Sequence, residues 1–270
     1  MNNYKLVNRP STTSARFEAS PMFRRKCSKF ILSLWLLVIS LVASFAQSPY
    51  QLKTGREIGL YGIGLTLSGG GFYFKSTLNP LTAEHVAEVR ADGLSSFERW
   101  VTTQRSVRSH KTSDVLLYSS QLFPIALTLA DKSMRKDADK ISVMYGQALL
   151  INAGLTALVK TTVRRTRPYV YQSELSLEEK LTKSARQSFW SGHTSQTATM
   201  CFLSAQMYSD YHPGSKWRPV VWTAAAAVPL ATGIFRMTAG KHFPTDVLAG
   251  YITGAAIGIL IPRIHYRMNN

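Results

Sequence analysis

Two cysteines in 270 residues are too few for a disulfide framework. Cys27 precedes the first apolar run, so its pairing with Cys201 is not expected. Acidic residues are also scarce: 15 Asp and Glu stand against 32 Lys and Arg, a net charge of +17. No acidic cluster is available to hold a divalent cation, and none is expected as a cofactor. The excess of cations is compatible with nucleic acid, but no RNA- or DNA-binding signature accompanies it. Anionic lipid head groups and phosphorylated substrates account for the charge equally well. Repeats and low-complexity tracts are missing too. Mean hydropathy is only −0.04, so in a membrane bundle either the polar connections are long or some of the apolar segments do not span.

What is present is a series of apolar segments. Met22 to Lys29 is a basic stretch, Phe30 to Val42 an apolar one, and Ser44-Phe45-Ala46 offers small residues before Gln47. That reads as a secretory signal peptide, or as an uncleaved signal anchor, with Met22 a candidate start. Ile58 to Phe74 is apolar and glycine-rich, barely long enough to span; Leu81 to His110 is polar. From Val115 the pattern turns helical and apolar. Val115 to Ala130 contains Pro124, Ser142 to Val159 is uncharged, and Thr194 to Tyr208 is milder. Val220 to Phe235 and Val247 to Ile261 complete the set. Gly250 and Gly254 form a small-xxx-small face that lets helices approach closely. The division expected is a leader over 1–46, a glycine-rich and polar region over 47–114, and a helical core over 115–265.

Lys132, Arg135, Lys136 and Lys140 lie in one short connection, Lys216 and Arg218 in another, and Arg263 and Arg267 in the tail. The positive-inside rule puts these on the cytoplasmic side. Helix parity disagrees if the leader is cleaved and Ile58 to Phe74 spans; the charges are given precedence.

Three stretches carry the chemistry. Arg236, His242 and Asp246 sit in one short segment running into an apolar helix, with Pro244 suited to its first turn. A carboxylate reaching back to an imidazole fixes its tautomer and leaves the other nitrogen as a nucleophile. Lys160, Arg167 and Pro168 close an earlier apolar segment, and Ser191, Gly192 and His193 open another. Singly, each group has an ordinary explanation: a capping Asp, snorkelling cations, a turn glycine. Together the three stretches resemble the type 2 phosphatidic acid phosphatase superfamily, whose motifs are K-x6-R-P, P-S-G-H and S-R-x5-H-x3-D. Every spacing within the motifs is kept; Trp190 replaces the motif proline and Phe235 the motif serine.

The resemblance implies an all-α bundle of five to six membrane helices with the site at helix ends on one face. It implies a lipid phosphate phosphatase that needs no metal, acting from a bacterial-type inner membrane with the site toward the periplasm. His242 is then the nucleophile that becomes a phosphohistidine, Asp246 orients it, and His193 is the acid and base. Lys160, Arg167, Ser191, Gly192 and Arg236 cradle the phosphoryl oxygens. A vanadate-dependent haloperoxidase shares the cradle, and a non-catalytic basic membrane protein that binds anionic lipid is the third reading. Arg164 and Arg165 are expected to meet lipid phosphate or solvent. His85, His110, His212 and His265 receive no role. Tyr169 to Phe189 is expected to lie over the site as a lid.

Overall fold

The computed structural model describes residues 48–267, and the expected leader falls outside them. Among the described residues there is no strand, only one isolated bridge between Tyr50 and Tyr266. Six long helices make the body: α1 (Thr54–Thr77), α2 (Val107–Ala130), α3 (Ala138–Val163), α4 (Gly192–Tyr211), α5 (Arg218–Thr238) and α6 (Pro244–His265). The all-α expectation holds. α2 begins at Val107 rather than Val115, so the polar region and the apolar core share a helix.

α4 is the central helix, packed against α2, α3, α5 and α6. Its weak apolar signal follows from that position. It presents Thr194, Ser195, Thr197, Thr199, Gln206 and Ser209 to neighbours, all of them buried. Thr199 satisfies itself inside the helix on the Ser195 carbonyl at 2.9 Å, whereas the Ser195 hydroxyl donates to Asn152 of α3 at 2.5 Å. α6 crosses α4 at its glycines: a Cβ on Gly254 would stand 2.1 Å from the Ser195 carbonyl oxygen. One on Gly258 would stand 2.5 Å from that of Thr199. α1 lies along α3 in the same manner, with Gly71 against Ala157 and Gly154 against Ser68.

Among the described residues, three helical stretches are long and apolar enough to cross a membrane: Ala138–Tyr171, which contains α3, then α5 and α6. Large apolar side chains face outward around the bundle, among them Ile58, Phe72, Val115, Leu122, Leu230, Leu248 and Ile252. An outer surface of that kind needs lipid rather than water, and the protein is an integral membrane protein.

The helix ends sort into two sets. At one end Tyr50 packs edge-on against Tyr211 and Tyr266, the Tyr211 hydroxyl donates to Asp137, and His212 pairs with Asp131. This end gathers the 131–137 connection, the 212–217 connection and the C-terminal residues. Met134, Met144, Met200, Met207 and Ile261 form a core beneath it. The opposite end carries the segments 78–106, 164–191 and 239–243, where all three motifs lie.

Candidate active site

The R-x5-H-x3-D spacing has a local cause. Arg236 occupies the last turn of α5, and the chain leaves that helix through Gly240, at φ 67°. The Gly240 N–H donates to the Met237 carbonyl at 2.8 Å and the Lys241 N–H to the Arg236 carbonyl at 3.0 Å. This pair of bonds is the Schellman stop, which requires the left-handed region glycine favours. A Cβ there would also strike the Gln104 carbonyl. Two residues later Phe243 takes the N-cap position of α6, with Pro244 opening the helix. Asp246 reaches back to accept the Phe243 N–H at 2.8 Å. A helix stop and a helix start, back to back, therefore hold Arg236, His242 and Asp246 in fixed relation.

Asp246 does not touch the His242 ring by a hydrogen bond. Its Oδ2 stays 3.8 Å from Nδ1, and Nδ1 donates instead to the Ser188 carbonyl at 2.7 Å. The tautomer expected from the carboxylate is thus set by a backbone oxygen, and Nε2 has no hydrogen-bond partner among the described residues. Asp246, fully buried, accepts from the Ser188 hydroxyl at 2.5 Å and from Arg165 at 2.6 Å. Arg165 also pairs with Glu98 at 2.7 Å and lies over the Phe243 ring. The expectation that Arg165 meets lipid or solvent is corrected: its guanidinium is spent on two carboxylates. Arg164, at φ 54°, ends α3 and donates to the Thr161 carbonyl.

Lys160 and Arg167 converge on one acceptor, the Gln187 carbonyl, at 2.7 and 3.3 Å. Arg167 is extended ahead of Pro168, as a residue before proline prefers. Ser191 caps α4, its hydroxyl accepting the Thr194 N–H at 3.4 Å. Gly192 lies beside Lys160 and Thr156, where a Cβ would meet Thr156 at 3.2 Å. Trp190, standing where the motif has proline, donates to that Thr156 hydroxyl at 2.9 Å. His193 follows in the first turn of α4, its Nε2 2.7 Å from Asp114.

Burial pushes the His242 imidazole well below its ordinary value, and Lys160, Arg167, Arg236 and His193 push the same way. All four lie close enough to His242 for their charge to bear on its ring. Asp246 is paired with Arg165, and among the described residues Arg236 alone of the three cations has a carboxylate within 4 Å, Asp114 at 3.6 Å. Arg167 Nε, Arg236 Nε and Gln187 Nε2 are buried without a protein acceptor among the described residues. A buried donor in that state is costly unless an anion completes it.

His110, given no role from the sequence, accepts from Arg236 at 2.8 Å. The Tyr169–Phe189 segment is folded rather than open. Short turns at Pro168–Tyr171, Leu177–Lys180 and Lys183–Arg186 anchor it, and Val170 and Ala185 pack on Leu81. With Arg105, His110 and Lys241 it lines a cavity of about 340 Å³.

Residues 142–269 match the PAP2 superfamily. Phospholipid phosphatase 1 of Rattus norvegicus is 32% identical over 87 residues, 31% of this chain and 30% of that protein. The Mus musculus protein of the same name is 35% identical over 88 residues, with the same coverage. The chain thus spans about 30% of the length of the curated relatives it matches. A solved structure of a transmembrane PAP2 type phosphatidylglycerolphosphate phosphatase from Bacillus subtilis aligns at TM-score 0.47 and 17% identity. It covers 74% of this chain and 94% of that one. The stretch matched by the PAP2 superfamily, residues 142–269, holds all three motifs.

Proposed function

We propose that this protein is a phosphatase that removes phosphate from a membrane lipid through a phosphohistidine on His242. One observation carries the reading: a buried imidazole with its Nδ1 proton given to the Ser188 carbonyl, set among Lys160, Arg167 and Arg236. Such a ring has a free Nε2 lone pair, and its neighbours repel a proton but attract a phosphoryl group.

In the first step Nε2 bonds to phosphorus as the ester P–O bond breaks, and His193 gives a proton to the departing alcohol oxygen. In the second, His193 takes a proton from water, the water oxygen bonds to phosphorus, and the N–P bond breaks to release inorganic phosphate. The three cations hold the equatorial oxygens through both steps, the task a divalent metal performs elsewhere. The phospholipid phosphatases among its relatives and the apolar outer surface support a lipid substrate.

The site end is proposed to face the periplasm. The opposite end carries Lys132, Arg135, Lys136 and Lys216 in short connections, where the positive-inside rule applies best. At the site end Arg165 and Arg105 are paired with carboxylates and Lys160 and Arg167 belong to the cradle. α1 lies along α3, so Ser48 and the C-terminal residues share the basic end.

The test uses purified protein in detergent with EDTA, against phosphatidate, phosphatidylglycerol phosphate, polyprenyl diphosphate and lipid A. Wild type is expected to release inorganic phosphate from at least one lipid, and His242→Ala from none. Equal, background-level release from both would favour lipid binding without turnover.

A further inference from the structure

α2 contributes a wall to the site that none of the three motifs contains. His110, Ser113 and Asp114 stand at i, i+3 and i+4, one face of the helix. Two of them hold Arg236: its Nη1 donates to His110 Nδ1 at 2.8 Å and to the Ser113 hydroxyl at 3.2 Å. The third holds His193, Asp114 Oδ1 lying 2.7 Å from Nε2. The same oxygen is 3.6 Å from Arg236, and the other carboxylate oxygen is 3.8 Å from His110. The three α2 residues precede position 142, where the match to the superfamily begins.

We propose that Asp114 is the positioning carboxylate of the acid–base histidine: it accepts the Nε2–H of His193 and so keeps that ring able to carry and deliver a second proton from Nδ1. The proposal rests on the phosphatase reading above. Its logic is that of a carboxylate orienting a histidine in a catalytic triad. The site is hostile to a protonated ring. The groups facing His193 are Asp114 from α2, Arg236 from α5, Arg167 from the segment after α3, and His242 from the 239–243 loop. Burial, Arg236 and Arg167 lower the His193 value to about 4, and Asp114 is the group that raises it. Without that carboxylate the ring has no counter-charge when the leaving oxygen needs a proton. The two histidines are then held in opposite senses. His242 gives Nδ1–H to a neutral carbonyl and keeps Nε2 as a lone pair, whereas His193 gives Nε2–H to an anion and keeps Nδ1 for proton transfer.

The decisive experiment compares leaving groups. Asp114→Asn and wild type are assayed on an alkyl phosphate and on a nitrophenyl phosphate bearing the same hydrocarbon tail. An alkoxide must be protonated as it leaves; a nitrophenolate need not be. The Asn variant is expected to lose about 10²-fold in kcat on the alkyl ester, less than about 10-fold on the aryl ester, with KM changed little. Its basic limb in kcat against pH should move to lower pH, and Asp114→Glu should recover part of the alkyl activity. Equal losses on both esters, or no loss on the alkyl ester, would overturn the proposal. Should the Asn variant fail to fold, the alkyl-to-aryl ratio of Asp114→Ser carries the same decision, an unchanged ratio counting against. Wild type inactive on both esters would overturn the phosphatase reading itself, a result distinct from an active wild type whose ratio Asp114 does not affect.

Discussion

Ser188 and His242, 54 positions apart, are joined through a backbone carbonyl that accepts the ring's Nδ1 proton at 2.7 Å. Because the acceptor is main chain, no side-chain change at 188 removes it. Ser188→Ala deletes only the hydroxyl bond to Asp246, whose Oδ2 still accepts from Phe243 N–H. The expected loss is about 2 kcal/mol of stability, for a hydrogen bond to a charged group. Phosphate release should fall by less than about 10-fold, since the alanine variant loses no transition-state contact. His242→Ala by contrast should release no phosphate. Thermal unfolding in detergent and a phosphate-release assay measure both.

This arrangement explains what was legible beforehand. The third motif is local: helix stop, glycine, helix start, each with its own side-chain signature. The small-xxx-small face of α6 was legible for the same reason, since glycine at 250 and 254 already implies a close neighbour. Ser188's role could not be read because it uses a carbonyl, which every residue has. Arg165 and Asp114 bond to partners 79 to 81 positions away, and their places depend on how α2, α3 and α6 pack. His110 followed the same rule. One signal was available: two polar residues and an acid at helical spacing, directly before the apolar run at Val115.

Arg165 bridges Glu98 and Asp246, at 2.7 and 2.6 Å. Arg165→Ala leaves Asp246 buried without its counter-charge. The expected cost is about 3 kcal/mol, the low end for a broken buried pair because Arg165 keeps a quarter of its side chain in solvent. Glu98→Gln should cost less, its partner retaining Asp246. A double-mutant cycle on Tm across Glu98 and Arg165 should give a coupling energy above about 0.5 kcal/mol. Additive losses would show that the pair does not act together.

Gly254 approaches the Ser195 carbonyl so closely that an added Cβ would lie 2.1 Å from it. Neither partner is a flexible side chain, so the helices themselves must separate. Gly254→Ala should destabilise the protein by at least about 1–3 kcal/mol and, by shifting α4 against α6, displace His193 from His242. Gly59→Ala, with nothing within 4 Å of its Cβ, is the control and should be neutral or slightly stabilising. Tm and phosphate release of the two variants should diverge accordingly.

Stability should depend on pH through His242. Its folded value lies below the ordinary one because of burial and then the neighbouring cations. The unfolded chain therefore binds the proton more readily, and stability rises with pH. The contribution is present above about 6.5 and is lost as pH falls below it, by up to about 1.4 kcal/mol per unit from this one group. His193, lowered to about 4, acts in the same direction. Glu57 and Asp131, both held at about 2, begin to matter only nearer the ordinary carboxylate range. Between pH 6.5 and 5 Tm should fall, and His242→Gln should flatten that slope if the variant remains folded.

A tetrahedral oxyanion should reverse this acid sensitivity. Among the described residues, Arg167 and Arg236 each bury an Nε donor without a protein acceptor, and Lys160 gives its ammonium to a single carbonyl. Phosphate or vanadate would satisfy these donors and supply Lys160 and Arg167 with a counter-charge, since Asp246 is held by Arg165 and Asp114 stands beside Arg236 and His193. Binding to the folded state alone stabilises by about 2.7 kcal/mol at a hundredfold excess over Kd. With EDTA present, added vanadate should raise Tm and inhibit competitively. Arg167→Lys should weaken both effects by losing the planar fork while keeping its charge, and Lys160→Met should weaken them further. A Tm unmoved by saturating vanadate would mean that the cations do not form a common cradle, and the phosphohistidine route would lose its footing. A rise in Tm that survives Lys160→Met and Arg167→Lys unchanged would place the anion elsewhere on this basic protein.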